Sequence, residues 1–302
     1  MNTKIYEIDN KKTDTDRKTE LKRLMIFLLL SFAISWIPAI ILNLTVGYRE
    51  WFESGKMPFF SLPVLYGPAL ANLLTRKLTG EGMKNSLLSF KLKKYVRYYF
   101  IAIFLATPLS LAETFWTSLL YGDISAAAPK IALTDILPGF LMQFAVSPLL
   151  AFVTFGEEFG WRAYMNPKLT KLFGKKTAII AGGIIWGLWY AVLTVEGHYF
   201  GRDYAGYPYA GILLMCLICT FTGIILMWLT DRTDSVFPAC IMHAMINFGP
   251  GHLSVYFERG ISPDFNPTIF QQTLTMFPAI LAAAVFLLLM LKDAKAKTGS
   301  GN

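Results

Sequence analysis

The chain has 302 residues, of which 54% are hydrophobic and only 16% charged, and its mean hydropathy is +0.46. A soluble domain carries roughly 25% charged residues, so these figures exclude an ordinary soluble protein and point to a single polytopic membrane domain. The net charge of +8 raises nucleic acid as a partner, but the Lys and Arg residues flank apolar runs. That is the signature of membrane orientation, so the lipid bilayer is the expected partner and nucleic acid is not.

In chain order, residues 1–23 are polar and basic and read as a cytoplasmic tail that starts as a surface helix. They lack the form of a cleaved signal peptide. Residues 24–292 read as one intramembrane helix bundle, and 293–302 as a second cytoplasmic tail. Eight spans are expected. They run Leu24–Val46 with Pro38 inside, Phe59–Leu74, Tyr98–Tyr121, Asp135 to about Phe155, Thr177–Val195, Tyr209–Thr230, Ser235–Phe248 and Ile269–Leu291. A span needs about 20 residues, so the second and seventh are short. Residues 47–58, with Trp51 and Phe52, read as interfacial, 76–97 and 163–176 as basic loops, 196–208 as an aromatic loop, and 249–267 as a Gly/Pro-rich loop. With the N-terminus inside, 23 of the 28 Lys and Arg fall on inner segments and 5 on outer ones. This asymmetry supports an all-α membrane bundle of about eight helices with both termini cytoplasmic. Cys216, Cys219 and Cys240 lie in or beside apolar runs; one CxxC without a second pair gives little reason for a zinc site or a disulfide.

The chemistry is expected where ionisable groups interrupt apolar runs, because charges at membrane depth cost a few kcal/mol each. Gly156-Glu157-Glu158-Phe159-Gly160-Trp161-Arg162 closes the fourth span. On a helix, Glu158 and Arg162 share a face in the favourable order for an ion pair. Glu157 points about 100° away from that pair. His243 and Asn247 are also four apart and share a face. A carboxylate, an imidazole and a carboxamide suggest hydrolysis, in which Glu157 takes a proton from water, His243 transfers one and Asn247 stabilises an oxyanion. From the residues alone, His243 and Asn247 are equally well read as hydrogen-bonding groups between helices. Glu113 reads either as a further pocket group or, more plainly, as a snorkelling carboxylate. Gly183 and Gly187 read as packing residues that let the fifth span approach a neighbour.

Glu157-Glu158-x-x-x-Arg162, then Trp186-x-x-x-Tyr190, then His243-x-x-x-Asn247 resembles the CPBP family of intramembrane glutamic or metallo-endopeptidases, also called the Abi/CAAX proteases. Tyr66-Gly67-Pro68-Ala69 and Ser235-Val236-Phe237-Pro238 look like its bacterial branch. The resemblance implies cleavage of a membrane-associated peptide or protein in a bacterial plasma membrane, with oligomeric state unspecified. It assigns catalysis to Glu157, His243 and Asn247 and support of the site to Glu158 and Arg162. The second motif departs from the family pattern, with Trp186 for its Phe and Tyr190 for its His. A catalytic zinc usually takes three protein ligands. Here the motifs would supply only Glu157 and His243, since Tyr190 is a poor zinc ligand and His198 and His252 fall in outer loops. No cofactor is therefore fixed by the sequence, and zinc is disfavoured. Two alternatives follow: a pseudo-protease that binds peptide or partner without cutting, and a transporter using Glu113 and Glu157 as proton sites. The absence of internal repeats weighs against the transporter.

Overall fold

The computed structural model describes residues 2–48, 50, 62–123, 125–126, 133–251, 260–262 and 267–299. Trp51, Phe52, Phe59, His252 and most of the expected Gly/Pro-rich loop lie outside these residues. Among the described residues every regular element is helical: α1 (Asn2–Thr45), α2 (Gly67–Leu78), α3 (Leu92–Phe104), α4 (Ala106–Tyr121), α5 (Leu133–Val146), α6 (Ala151–Gly160), α7 (Asn166–Phe173), α8 (Lys175–Trp189), α9 (Ala191–Thr194), α10 (Tyr209–Thr233), α11 (Phe237–Phe248), α12 (Ile269–Thr275) and α13 (Phe277–Gly299). A 3₁₀ turn, Ser147–Leu150, precedes α6 and a π-helical turn, Trp161–Met165, follows it. The protein is an all-α polytopic membrane bundle.

Among the described residues each of the eight expected spans contains helix, but not all reach spanning length. Thr15–Thr45, Leu92–Tyr121, Thr134–Phe173 and Tyr209–Thr233 are long and apolar enough to cross a bilayer. Ile269–Thr275 and Phe277–Lys292 qualify together across a 53° bend, where Pro278 removes a backbone donor at the start of α13. The second, fifth and seventh expected spans are shorter: α2 has 12 residues, α8 has 15 and α11 has 12. The fifth was expected to run unbroken to Val195; instead α8 stops at Trp189 and Tyr190 turns the chain into α9.

The chain forms two compact units. The first comprises Met1–Ser86 and Gly156–Gly182. Its long helix α1 buries Leu24, Phe27, Ser31, Ser35 and Ala39. Their spacing of three to four residues is that of one helix face, and α2 packs against α1. Ser35 donates to the Val64 carbonyl at 2.8 Å. Phe27 meets Trp161 edge-on at 5.8 Å and lies 5.0 Å from the ring of Tyr164.

The second unit comprises Leu87–Phe155 and Gly183–Asn302. Its centre is α10, which packs against α3, α11 and α13. Gly183 and Gly187 do permit a close approach. A Cβ on either would come within 2.4 Å of a backbone Cα on α10, that of Thr220 for Gly183 and that of Cys216 for Gly187. Cys216, Cys219 and Cys240 are buried, free thiols.

Candidate active site

In the first unit, the end of α6 carries the paired carboxylates. Gly156 and Gly160 lie four apart and face the Leu65–Pro68 backbone. A Cβ on Gly156 would sit 2.6 Å from the Leu65 carbonyl oxygen, and one on Gly160 2.3 Å from Pro68 Cβ. The glycines thus let this helix lie closer to residues 65–68 than any other residue type permits. Glu157, Glu158 and Arg162 are only 1%, 0% and 2% exposed. At that burial an ion pair must be well made to offset desolvation. Glu158 and Arg162 do pair, with Arg162 Nε 3.2 Å from Glu158 Oε2, as their spacing predicts.

The sequence reading missed the π turn. The Asn166 amide donates to the Trp161 carbonyl, five residues back, so the helix is locally widened beside the acidic pair. Such turns are rare and recur at functional sites. Nor did that reading anticipate two residues of α2 that serve this turn. Asn72 Nδ2 donates to the Phe159 carbonyl at 2.7 Å, and Arg76 Nε donates to Asn72 Oδ1 at 2.7 Å. Arg76 is in turn held by the Gly82 and Asn85 carbonyls, and its guanidinium lies 5.0 Å from the centre of the Tyr164 ring. By sequence Arg76 reads only as an orienting charge at the start of a basic loop. The four-residue spacing from Asn72 was the signal available.

A second layer of charge surrounds this core. Tyr164 donates its phenol proton to Glu81 at 2.8 Å, and Lys168 bridges Glu20 and Glu81 at 2.6 Å each. Lys168 is buried, and Arg23 and Lys171 complete the cluster around Glu20. All six of these residues, Glu20, Arg23, Glu81, Tyr164, Lys168 and Lys171, come from segments that read as basic tail or basic loop.

In the second unit, α11 carries His243 and Asn247. His243 is 3% exposed, whereas Asn247 is half-buried. Two hydroxyls fix this helix to the segment before the acidic stretch: Thr154 donates to the Cys240 carbonyl at 2.7 Å, and Ser147 to the Phe248 carbonyl at 2.6 Å. Phe155 stacks on Phe237 at 6.2 Å. The Trp186 ring meets the His243 imidazole edge-on, with centroids 5.5 Å apart and planes at 78°. Tyr190 lies in the same aromatic group, 6.4 Å from Trp186, 4.9 Å from Trp189 and 5.8 Å from Tyr199. The second and third sequence motifs are therefore brought together. Glu113 also lies in this unit, on the wall of a cavity.

Among the described residues, no three His, Cys, Asp or Glu side chains gather in the way a zinc site asks. At Tyr190, where the second motif of the family pattern has His, a phenol sits in an aromatic cluster.

The family model described as type II CAAX prenyl endopeptidase Rce1-like matches residues 137–249. No curated protein matches the chain.

Proposed function

We propose that the protein is an intramembrane endopeptidase, on the similarity of residues 137–249 to the Rce1-like family of type II CAAX prenyl endopeptidases. Its substrate class is a membrane-associated peptide or protein, and its place is a bacterial plasma membrane. The observation that carries the reading is that the matched segment holds all six motif residues, Glu157, Glu158, Arg162, Tyr190, His243 and Asn247.

In the proposed reaction, Glu157 removes a proton from water, and the hydroxide adds to the scissile carbonyl. The Asn247 amide donates to the resulting oxyanion. Glu157 passes the proton to His243, which delivers it to the leaving nitrogen as the C–N bond breaks. Glu158 and Arg162 pair with one another and support the site, and Glu157 is the proton acceptor. Tyr190 donates a hydrogen bond that orients the carbonyl. We route no step through a metal, because the motifs supply only Glu157 and His243 as ligands and Tyr190 is a poor third. Metal analysis of the purified protein tests this directly, and one equivalent of bound zinc would overturn it.

One observation favours a second reading, a pseudo-protease that binds without cutting. Tyr190 stands where the family pattern has His, and it is only 4% exposed among Trp186, Trp189 and Tyr199. The discriminating experiment presents a peptide library on membranes to the purified protein. The protease reading predicts cleavage that Glu157→Gln abolishes. Peptide binding with no cleavage by the native protein would establish the pseudo-protease. A large gain on Tyr190→His would mark the native site as impaired.

A further inference from the structure

The second unit contains two adjoining cavities of about 270 and 350 Å³, apart from any residue given a catalytic role above. Both are lined by Ser110 and Glu113 from α4, by Thr222 from α10 and by Ile246 from α11. The larger adds Thr114, Thr117 and Thr275. Among the described residues no Lys, Arg or His lines either cavity, and nothing donates to the Glu113 carboxylate or pairs with it.

The direction of the hydroxyl protons gives the site its chemical character. Ser110 donates to the Gly251 carbonyl at 3.1 Å, Thr114 to the Ser110 carbonyl at 3.1 Å, Thr117 to the Glu113 carbonyl at 2.7 Å and Thr275 to the Gln272 carbonyl at 2.8 Å. A hydroxyl has one proton and two lone pairs. With each proton committed to the backbone, these four side chains can only accept. A carboxylate and four acceptor oxygens within a membrane bundle ask for a ligand that brings positive charge and several N–H or O–H donors. An ammonium group brings both, with three donors.

The remaining walls decide what carries the ammonium. Phe221, Ile225 and Met245 make them apolar, and the volumes far exceed a bare ion, so the ligand has an apolar stem. Ile246 lines both cavities and is itself 36% exposed. The site therefore reaches the surface of a bundle whose surroundings are lipid. We propose that this is a binding site for a primary-amine lipid, with its ammonium on Glu113.

The test uses the full-length protein in nanodiscs of equal ethanolamine and choline phospholipid, with retained lipid counted by native mass spectrometry. The two headgroups have the same charge, but only the ethanolamine ammonium carries N–H donors. Preference for the ethanolamine lipid should be about tenfold, the scale of a charge-assisted hydrogen bond. Glu113→Gln should abolish the preference and Glu113→Asp keep part of it. Octylammonium should displace the lipid, whereas sodium at the same ionic strength should not. Equal retention of both lipids, an unchanged preference in Glu113→Gln, or displacement by sodium alone would each overturn the proposal. If Glu113→Gln does not fold, octylammonium competition on the native protein decides: failure to displace the ethanolamine lipid refutes the site.

Discussion

Glu158 and Arg162 show how a four-residue spacing becomes an energetic commitment. Both are almost fully buried and 3.2 Å apart, so removing either takes an opposite charge away from a buried one. Arg162→Ala should therefore cost about 3–5 kcal/mol. Replacing both residues by apolar ones of similar volume should cost clearly less. Chemical denaturation in detergent checks the order, and equal losses for the single and double variants would refute it. His198, in the loop beyond α9, gives a pH prediction. Burial pushes its imidazole down to about 4, from the usual 6.5. The folded protein keeps the ring neutral while the unfolded chain protonates it, so stability should fall as pH drops from about 6.5 towards 4. A His198→Gln variant should flatten that part of the profile. The motif residues themselves could be read from the sequence because charges and amides are rare in apolar runs. The edge-on contact of Trp186 with His243 could not, because it joins helices more than fifty residues apart.

At the scale of the element, the apolar runs located the helices but not their ends. Nothing in the composition of Trp161-Arg162-Ala163-Tyr164-Met165 marks a π turn. The structure shows it in the Asn166 amide bond to the Trp161 carbonyl, just past the Phe159 carbonyl that Asn72, itself held by Arg76, caps. Asn72→Ala removes that donor, and Asn72→Asp replaces it with an acceptor facing a carbonyl. The first should cost about 1–3 kcal/mol and the second more, measured by the same denaturation experiment. The close approach at Gly160 gives an independent check. Because the neighbour of an added Cβ includes the Pro68 backbone as well as its ring, Gly160→Ala should destabilise by about 1–3 kcal/mol. Full stability in that variant would mean that α6 does not lie so close to residue 68.

For the molecule as a whole, charge asymmetry and hydropathy identified a polytopic helical bundle. Among the described residues α2, α8 and α11 are apolar but short, as the second and seventh runs already were in the sequence. Such helices are stabilised by neighbouring protein, as with the buried face of α11, rather than by crossing lipid alone. The excess of Lys and Arg on alternate segments predicts both termini in the cytoplasm. Single cysteines introduced near residue 18 and residue 296, in a background without Cys216, Cys219 and Cys240, should resist a membrane-impermeant thiol reagent until the cell is opened; labelling of either in intact cells would reverse the topology. The central claim is hydrolysis of a peptide bond with Glu157 as base and His243 as proton donor. The direct measurement is cleavage of a membrane-presented peptide library by the purified protein, alongside Glu157→Gln and His243→Ala, with each variant shown to be folded. The account predicts product from the native protein and a loss of at least about a hundredfold in each variant. Cleavage undiminished by either substitution would contradict it.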